Sequence, residues 1–171
     1  IFGGDEGSGY WLASNLLRHF TRQSDNREKR TFLYNYLKEK YNWEDDSQML
    51  DMIINEFNED RTKIASLSLD VSYCANLGDE ICLQILKEAA KELSDIIIAV
   101  YNKLEFKSTV KVSYSGGVFK SGKYILEPLK ENLKCYDIEL VEPILSPGAG
   151  AVILAMKNYQ DNLPIEKLKL I

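Results

Sequence analysis

Carboxylates, glycines and aromatic rings crowd together in one short run near the start of the chain, Gly4–Trp11, GDEGSGYW. An ionised carboxylate only accepts hydrogen bonds, so Asp5 suits a partner that is rich in hydroxyl donors. Glycine permits positive φ angles and close backbone approach, which would let a ligand lie against the main chain. Capping of the following helix by Asp5 or Ser8 is the alternative, and acidic residues also suit a first helical turn, which is how we interpret Glu6.

A second glycine-rich segment, SGGVFKSG at Ser115–Gly122, follows a pattern that is typical of a strand. Residues 110–114, VKVSY, alternate apolar and polar side chains, and a helix-forming stretch begins near Ser121. A strand, paired glycines and a helix often let a nucleotide pack on bare backbone, although Gly-Gly also turns corners for purely conformational reasons. The segment matches neither the Walker A pattern nor GxGxxG.

A stripe of small side chains lies between these two segments. Ala65, Ser68 and Ser72 fall on one face of a helix that periodicity predicts over Arg61–Leu77. Close packing against another helix and contact with a ligand both use such short side chains, so both interpretations stay open.

Hydrophobic periodicity predicts the elements that must position these segments. The predicted helices are Ser8–Phe20, Thr31–Tyr41, Ser47–Phe57, Arg61–Leu77, Glu80–Leu104, Lys123–Leu133 and Gly148–Tyr159. The polar stretch Thr21–Arg30 is predicted to be a loop, and Pro128 predicts a kink or a restart at Glu127. Asp137–Val141 is predicted as a second strand. Two strands among so many helices fit an α/β domain whose remaining strands lie elsewhere in a longer protein.

Composition excludes several classes of protein. The net charge of −5 and the lack of a basic stripe argue against a nucleic-acid partner. No apolar run approaches the roughly 20 residues that cross a bilayer, so we expect a cytoplasmic protein. The cysteines Cys74, Cys82 and Cys135 form no CxxC pair, and we interpret all three as small buried side chains. With the single histidine, His19, these dispersed cysteines predict no metal site.

Four segments in this order resemble the C-terminal half of the BadF/BadG/BcrA/BcrD ATPase family, in its N-acetylglucosamine kinase branch. They are GDEGSGYW, RTKIASLS at Arg61–Ser68, SGGVFKSG, and SPGAGAVILA at Ser146–Ala155. The resemblance implies an α/β, ribonuclease H-like fold of the actin-like ATPase and sugar kinase group, mostly helical here, with at least two strands. Residues 1–171 would form the C-terminal domain. The catalytic base and the phosphate loops are expected in an N-terminal domain that this chain lacks, so we expect no catalytic residue here.

The resemblance further implies ATP-dependent phosphorylation of an amino sugar, with Mg²⁺ neutralising charge. Asp5 would accept hydrogen bonds from sugar hydroxyls. Gly116 and Gly117 would form the floor under adenosine, with Ser121 as a polar contact and Ala65 touching the nucleotide from the helical side. The implied partners are ATP, the sugar and the N-terminal domain; sugar kinases are also commonly homodimers.

Two other functions stay open at this point. Some members of the family are ATPase activators of CoA-ester reductases or dehydratases and hold an iron–sulfur cluster, which needs suitably placed cysteine thiolates. The three cysteines here show no cluster pattern. A non-catalytic module that senses a sugar or a nucleotide is the second alternative.

Overall fold

A computed structural model describes residues 4–157 of the chain. In chain order its helices are α1 Gly9–Ser24, α2 Phe32–Lys40, α3 Gln48–Asp51, α4 Arg61–Ser66, α5 Ser68–Asn76, α6 Glu80–Lys103, α7 Lys123–Leu133 and α8 Pro147–Lys157. A π-helical turn, Met52–Glu56, follows α3, and a 3₁₀ turn, Gly117–Ser121, precedes α7. The strands are β1 Val110–Ser113 and β2 Ile138–Val141.

The two strands form a parallel pair in which Val110 lies opposite Ile138 and Ser113 lies opposite Val141. Parallel strands need a crossover connection, and here the 3₁₀ turn and α7 supply it. The described part of the chain is therefore a mostly helical α/β fold with one βαβ unit, as the sequence predicts. The glycine pair lies at the carboxyl end of β1, where ligands of α/β folds commonly bind.

The core forms between α1, α2, α5, α6 and α7. Leu12, Leu16 and Phe20 recur every fourth residue along α1 and are fully buried, which is the pattern of a helix with one apolar face. The Phe20 ring stacks on Tyr34 of α2 at 5.3 Å between centroids and meets Trp43 edge-on at 5.1 Å. This core anchors the beginning of α1, where the GDEGSGYW segment enters the helix.

One buried carboxylate joins the beginnings of α2 and α6. Asp79 is 4% exposed; its Oδ1 accepts a hydrogen bond from the Cys82 amide at 2.9 Å, and its Oδ2 accepts one from the Leu33 amide at 2.8 Å. Asp79 is therefore the N-cap of the long helix α6. The bond to Leu33 was not predicted, because it links residues 46 positions apart.

Several predicted boundaries are wrong, each for a local reason. Helix α1 continues to Ser24 because Gln23 is fully buried and bonds Thr31, with its Oε1 accepting from the Thr31 amide at 2.9 Å. The predicted helix Arg61–Leu77 is two helices, because the bonds at Leu67 tighten to a three-residue spacing: its amide reaches the Ile64 carbonyl and its carbonyl accepts from the Asp70 amide.

Two other predicted helices also differ from the structure. The helix predicted over Ser47–Phe57 is a single α-turn followed by the π-helical turn, in which the Phe57 amide reaches the Met52 carbonyl. Helix α7 runs through Pro128 without a restart at Glu127. Ser146 caps α8, with its Oγ accepting from the Ala149 amide at 3.3 Å. The predicted continuation to Tyr159 lies outside the described residues.

Candidate functional site

Asp5 is the first carboxylate in the loop that leads into α1, and its side chain does not cap this helix. Ser8 is the N-cap of α1, and its Oγ accepts a hydrogen bond from the Trp11 amide at 3.2 Å. Asp5 supports this cap through its backbone carbonyl, which accepts from the Ser8 amide at 2.9 Å. Of the two capping alternatives, Ser8 is therefore the cap, and the Asp5 side chain points to other partners.

The Asp5 carboxylate forms an ion pair with Arg61, the first residue of α4, through Arg61 Nη2 and Asp5 Oδ2. The guanidinium carbon of Arg61 also lies 4.1 Å from the centre of the Tyr10 ring, which is a cation–π geometry. About two fifths of the Asp5 side chain remains exposed. The candidate carboxylate is thus held at one oxygen and open to solvent, at the junction of α1 and α4.

The other residues of this loop have structural roles. Glu6 folds back so that its Oε2 accepts from the Gly4 amide at 2.9 Å, which agrees with the structural interpretation. Gly7 has φ +76°, and a Cβ there would lie 2.7 Å from Leu93 Cγ and 3.1 Å from the Ala89 carbonyl oxygen. Close approach at Gly7 therefore serves packing against α6.

The stripe of small side chains runs along α4 and α5 and makes contacts at both ends. A Cβ on Gly9 would lie 3.3 Å from Ser68 Oγ and 3.6 Å from the Ala65 carbonyl oxygen, so this part packs closely on α1. Further along, Ser72 Oγ lies 2.8 Å from Ser121 Oγ. Helix packing therefore accounts for Ser68, and the half-buried Ala65 lies beside the same contact.

The glycine pair after β1 combines a strained backbone with open space. Gly116 has φ +125° and ψ 166°, a conformation that side chains rarely tolerate. Gly117 has no positive φ and begins the 3₁₀ turn. Among the described residues, a Cβ on either glycine would meet no atom within 4 Å. The backbone conformation therefore explains Gly116, whereas neither conformation nor packing within residues 4–157 explains Gly117.

Ser121 closes the 3₁₀ turn and is 8% exposed. Its hydroxyl shares a hydrogen bond with Ser72, so its first partner is a side chain of α5. A hydroxyl carries one donor and two acceptor positions, so after the bond to Ser72 the Ser121 hydroxyl retains two positions for further polar contacts. The family resemblance pointed to Ser121 but not to its hydrogen bond with Ser72. Ser72 is one of the residues in the stripe of small side chains.

The candidate residues thus form two groups on one helix pair. Arg61 holds Asp5 at the beginning of α4, and Ser72 holds Ser121 and its turn from α5. Arg61 begins α4, and Ser72 lies within α5, beyond the turn at Leu67. Asp5 therefore contacts α4, Ser121 contacts α5, and Ala65 belongs to α4, between Arg61 and Ser72 in the sequence.

A buried charge cluster, which sequence reasoning missed, fixes α5 against α2. Asp70 is 2% exposed, accepts hydrogen bonds from the Tyr36 and Tyr41 hydroxyls at 2.8 and 2.7 Å, and pairs with Lys40. Burial together with the Asp70 carboxylate raises the pKa of Tyr36 and of Tyr41 well above the ordinary range. The signal in the sequence was an aspartate beside Val71 on the apolar side of the helix.

The three cysteines and His19 lie in different environments. Cys74 and Cys82 are buried as predicted, but Cys135 is exposed because it lies in the turn between α7 and β2. His19 Nδ1 lies 2.7 Å from Glu28 Oε2 in a local pair on the side of α1. Within residues 4–157, no three His, Cys, Asp or Glu side chains group closely enough to hold a metal ion. No helix in this described part is long and apolar enough to cross a bilayer.

Comparison with known proteins agrees with the resemblance of the four sequence segments. The model of the BadF/BadG/BcrA/BcrD ATPase family matches residues 1–155. The chain is 32% identical over 160 residues to an N-acetyl-D-glucosamine kinase of Dictyostelium discoideum, covering 91% of this chain and 50% of the relative. It is 27% identical over 155 residues to an N-acetylmuramic acid/N-acetylglucosamine kinase of Clostridium acetobutylicum, covering 89% and 50%. The chain therefore spans about half the length of these curated relatives, and it belongs to the BadF/BadG/BcrA/BcrD ATPase family.

Proposed function

We propose that the protein to which this chain belongs transfers the γ-phosphoryl group of ATP to a hydroxyl of an amino sugar such as N-acetylglucosamine. The observation that carries the proposal is the pair of groups along α4 and α5, an open carboxylate at one end and a bare glycine turn at the other. Two relatives that are named as kinases of such sugars support the same reaction.

On the sugar side, Asp5 would accept hydrogen bonds from ring hydroxyls. Its carboxylate does not cap α1, and its Oδ1 makes no hydrogen bond within residues 4–157. Bonds from hydroxyls to an ionised acceptor are stronger than neutral ones, and they reject a ligand that lacks the hydroxyl. Asp5 is therefore a binding residue in this proposal, and no residue of this chain is assigned as the catalytic base.

On the nucleotide side, Gly116 and Gly117 would form the floor under adenosine. The bare face of Gly117, which no described neighbour approaches, supports this role. Ser121 would add a polar contact from the buried end of the turn, held in place by Ser72. Ala65 would touch the nucleotide from the helical side, where its short side chain leaves room.

The reaction depends on positioning and charge stabilisation more than on covalent chemistry by the protein. The sugar hydroxyl oxygen bonds to the γ-phosphorus and loses its proton to a base, while the bond to the β-phosphate bridging oxygen breaks and ADP leaves. Mg²⁺ supplies neutralisation of phosphate charge. The described residues do not fit a metal site, so in this proposal they position the sugar and the adenosine and leave the ion to ATP and to other parts of the protein.

The two-stranded sheet supports a proposal about the larger fold to which this chain belongs. A parallel pair of only two strands is unusual, because parallel sheets are normally larger and covered on both faces. An apolar groove lies between α6 and the strands, and Ile96 and Val100 along it are more than half exposed. We therefore infer that residues 1–171 form the C-terminal domain of a ribonuclease H-like kinase, in which an N-terminal domain closes over the substrates and limits the access of water.

The test is ADP release by the full-length protein with ATP and Mg²⁺ across a sugar panel. The panel contains N-acetylglucosamine, N-acetylmuramic acid and glucosamine, with a reaction without sugar as the baseline. Release that depends on one amino sugar supports the kinase and names its substrate. Release that is equal with and without every sugar contradicts it, and iron and sulfide in such a protein would indicate the activator ATPase.

A further inference from the structure

We propose that Arg61 is a positioning residue that orients the Asp5 carboxylate toward the sugar. The inference rests on the proposed function, because it concerns the sugar side of the same site. It assigns to α4 a part in sugar recognition that the four sequence segments alone do not indicate.

Two contacts fix the planar guanidinium group of Arg61. Nη2 of Arg61 donates a hydrogen bond to Asp5 Oδ2, and the guanidinium carbon lies 4.1 Å from the centre of the Tyr10 ring. Tyr10 belongs to the first turn of α1, and Arg61 begins α4. Stacking on an aromatic face sets the plane of a guanidinium, and the plane then sets the direction of its N–H bonds.

The hydrogen bond from Arg61 uses only part of the accepting capacity of the Asp5 carboxylate. An ionised carboxylate has about four lone-pair positions on its two oxygens. Arg61 occupies Oδ2, and within residues 4–157 Oδ1 makes no hydrogen bond. Holding one oxygen therefore presents the other in a defined direction, which is what a hydroxyl group of a bound sugar requires.

Stability alone is a poor explanation for this ion pair. The side chains of Arg61 and Asp5 are 46% and 39% exposed, and pairs so open to solvent add little to folding. The turn of α4 has its own cap as well, since the Asp60 carboxylate accepts from the Lys63 amide at 2.9 Å. The ion pair therefore acts mainly on the orientation of Asp5.

The consequence for binding is a lower entropic cost. Without Arg61, the Asp5 side chain would have to be ordered by the sugar itself. Ordering one mobile side chain on binding corresponds to roughly a threefold to tenfold loss of affinity. We expect a loss of that size in the KM for the sugar, with the KM for ATP unchanged.

The test measures steady-state kinetics of the full-length protein with Arg61→Met, Arg61→Lys and Asp5→Asn. Methionine keeps an unbranched stem beside Tyr10 and removes the charge and the N–H donors. Lysine keeps the charge without the planar fork, so it should recover part of the lost sugar affinity. Lys63→Met is the matched control, because it removes one positive charge from the same short helix, and it should leave both KM values unchanged.

The double variant Asp5→Asn/Arg61→Met separates positioning from direct contact. If Arg61 acts through Asp5, adding Arg61→Met to Asp5→Asn raises the KM for the sugar no further. An additional rise would mean that Arg61 contacts the sugar directly, and it would overturn the inference.

The remaining outcomes distinguish this inference from the proposed function. A raised KM for the sugar in Asp5→Asn but not in Arg61→Met would refute the role of Arg61 and leave the kinase standing. A lower KM for the sugar in Arg61→Met would show that Arg61 competes with the sugar, and a raised KM for ATP would place it at the phosphates; either result overturns positioning. Absence of sugar-dependent ADP release in the unaltered protein would refute the proposed function itself.

Discussion

Ser72 Oγ on α5 lies 2.8 Å from Ser121 Oγ at the end of the 3₁₀ turn, and this contact ties the stripe of small residues to the turn after the glycine pair. We predict that Ser72→Ala and Ser121→Ala each lower the free energy of unfolding by about 1 kcal/mol, because each leaves a partly buried hydroxyl without its partner. The double variant should cost clearly less than the sum of the two, as expected for residues in contact. Chemical denaturation of the four proteins measures this, and strict additivity would contradict a direct bond.

Gly117→Val should impair ATP binding while leaving the fold intact. Its φ is not positive and a Cβ would meet no described atom within 4 Å, so the free energy of unfolding should change little. The added side chain would lie where adenosine is proposed to pack. Titration with a fluorescent ATP analogue measures the affinity, and an unchanged nucleotide affinity would refute the floor assignment.

Gly116→Ala is the matched comparison for Gly117→Val. Because Gly116 has φ +125°, an alanine there is strained and should lower the free energy of unfolding by about 1–3 kcal/mol. Thermal denaturation checks this expectation. A variant as stable as the unaltered protein would show that the turn adopts another conformation.

Asp5→Asn should weaken sugar use much more than ATP binding. The substitution preserves size but replaces one acceptor oxygen with a donor and removes the charge, so sugar hydroxyls lose a charge-assisted bond. We expect kcat/KM for the sugar to fall by about tenfold or more, equivalent to about 1.4 kcal/mol or more of transition-state stabilisation, with a Kd for ATP within about twofold. Equal losses for both substrates would contradict the assignment.

Asp46 should make the fold sensitive to acid. Burial raises the pKa of Asp46, but hydrogen bonds from Lys38, Ser24 and Tyr34 outweigh burial and lower the pKa to about 2. A carboxyl with a depressed pKa stabilises the folded state above its ordinary pKa of 3.8, and this contribution disappears as the pH falls toward 2. The contribution at neutral pH is of the order of 2 kcal/mol.

The variant Asp46→Asn isolates this acid sensitivity. It should be less stable than the unaltered protein at pH 7, and the difference should shrink as the pH falls from 5 toward 2. Denaturation midpoints measured across that range give the answer. A difference that stays constant with pH would mean that the carboxylate charge is not the stabilising feature.

Asp79→Ala should be the most destabilising of the capping changes. The substitution leaves the buried amides of Leu33 and Cys82 without their acceptor, which should cost about 2 kcal/mol or more. Asp60→Ala is the control, because Asp60 caps α4 through one bond in an exposed place and should cost about 1 kcal/mol or less. Equal costs in urea denaturation would show that the bridge to Leu33 adds nothing.

Local patterns predict much of this fold. The apolar spacing of α1, α2 and α6 and the alternation in β1 appear in the sequence because each element buries one face. Asp79 and Ser146 were identifiable as caps because capping depends on residues within one turn. The four family segments likewise predicted the family that the comparison identified.

The tertiary structure decided what those residues touch. Asp5 meets Arg61 across 56 positions, and Ser72 meets Ser121 across 49, so neither contact is visible in a local period. Packing also drew Gln23 into α1 and assigned Gly7 to its contact with α6. Periodicity tells which face of an element is buried, but the partner of a polar side chain depends on how distant elements pack.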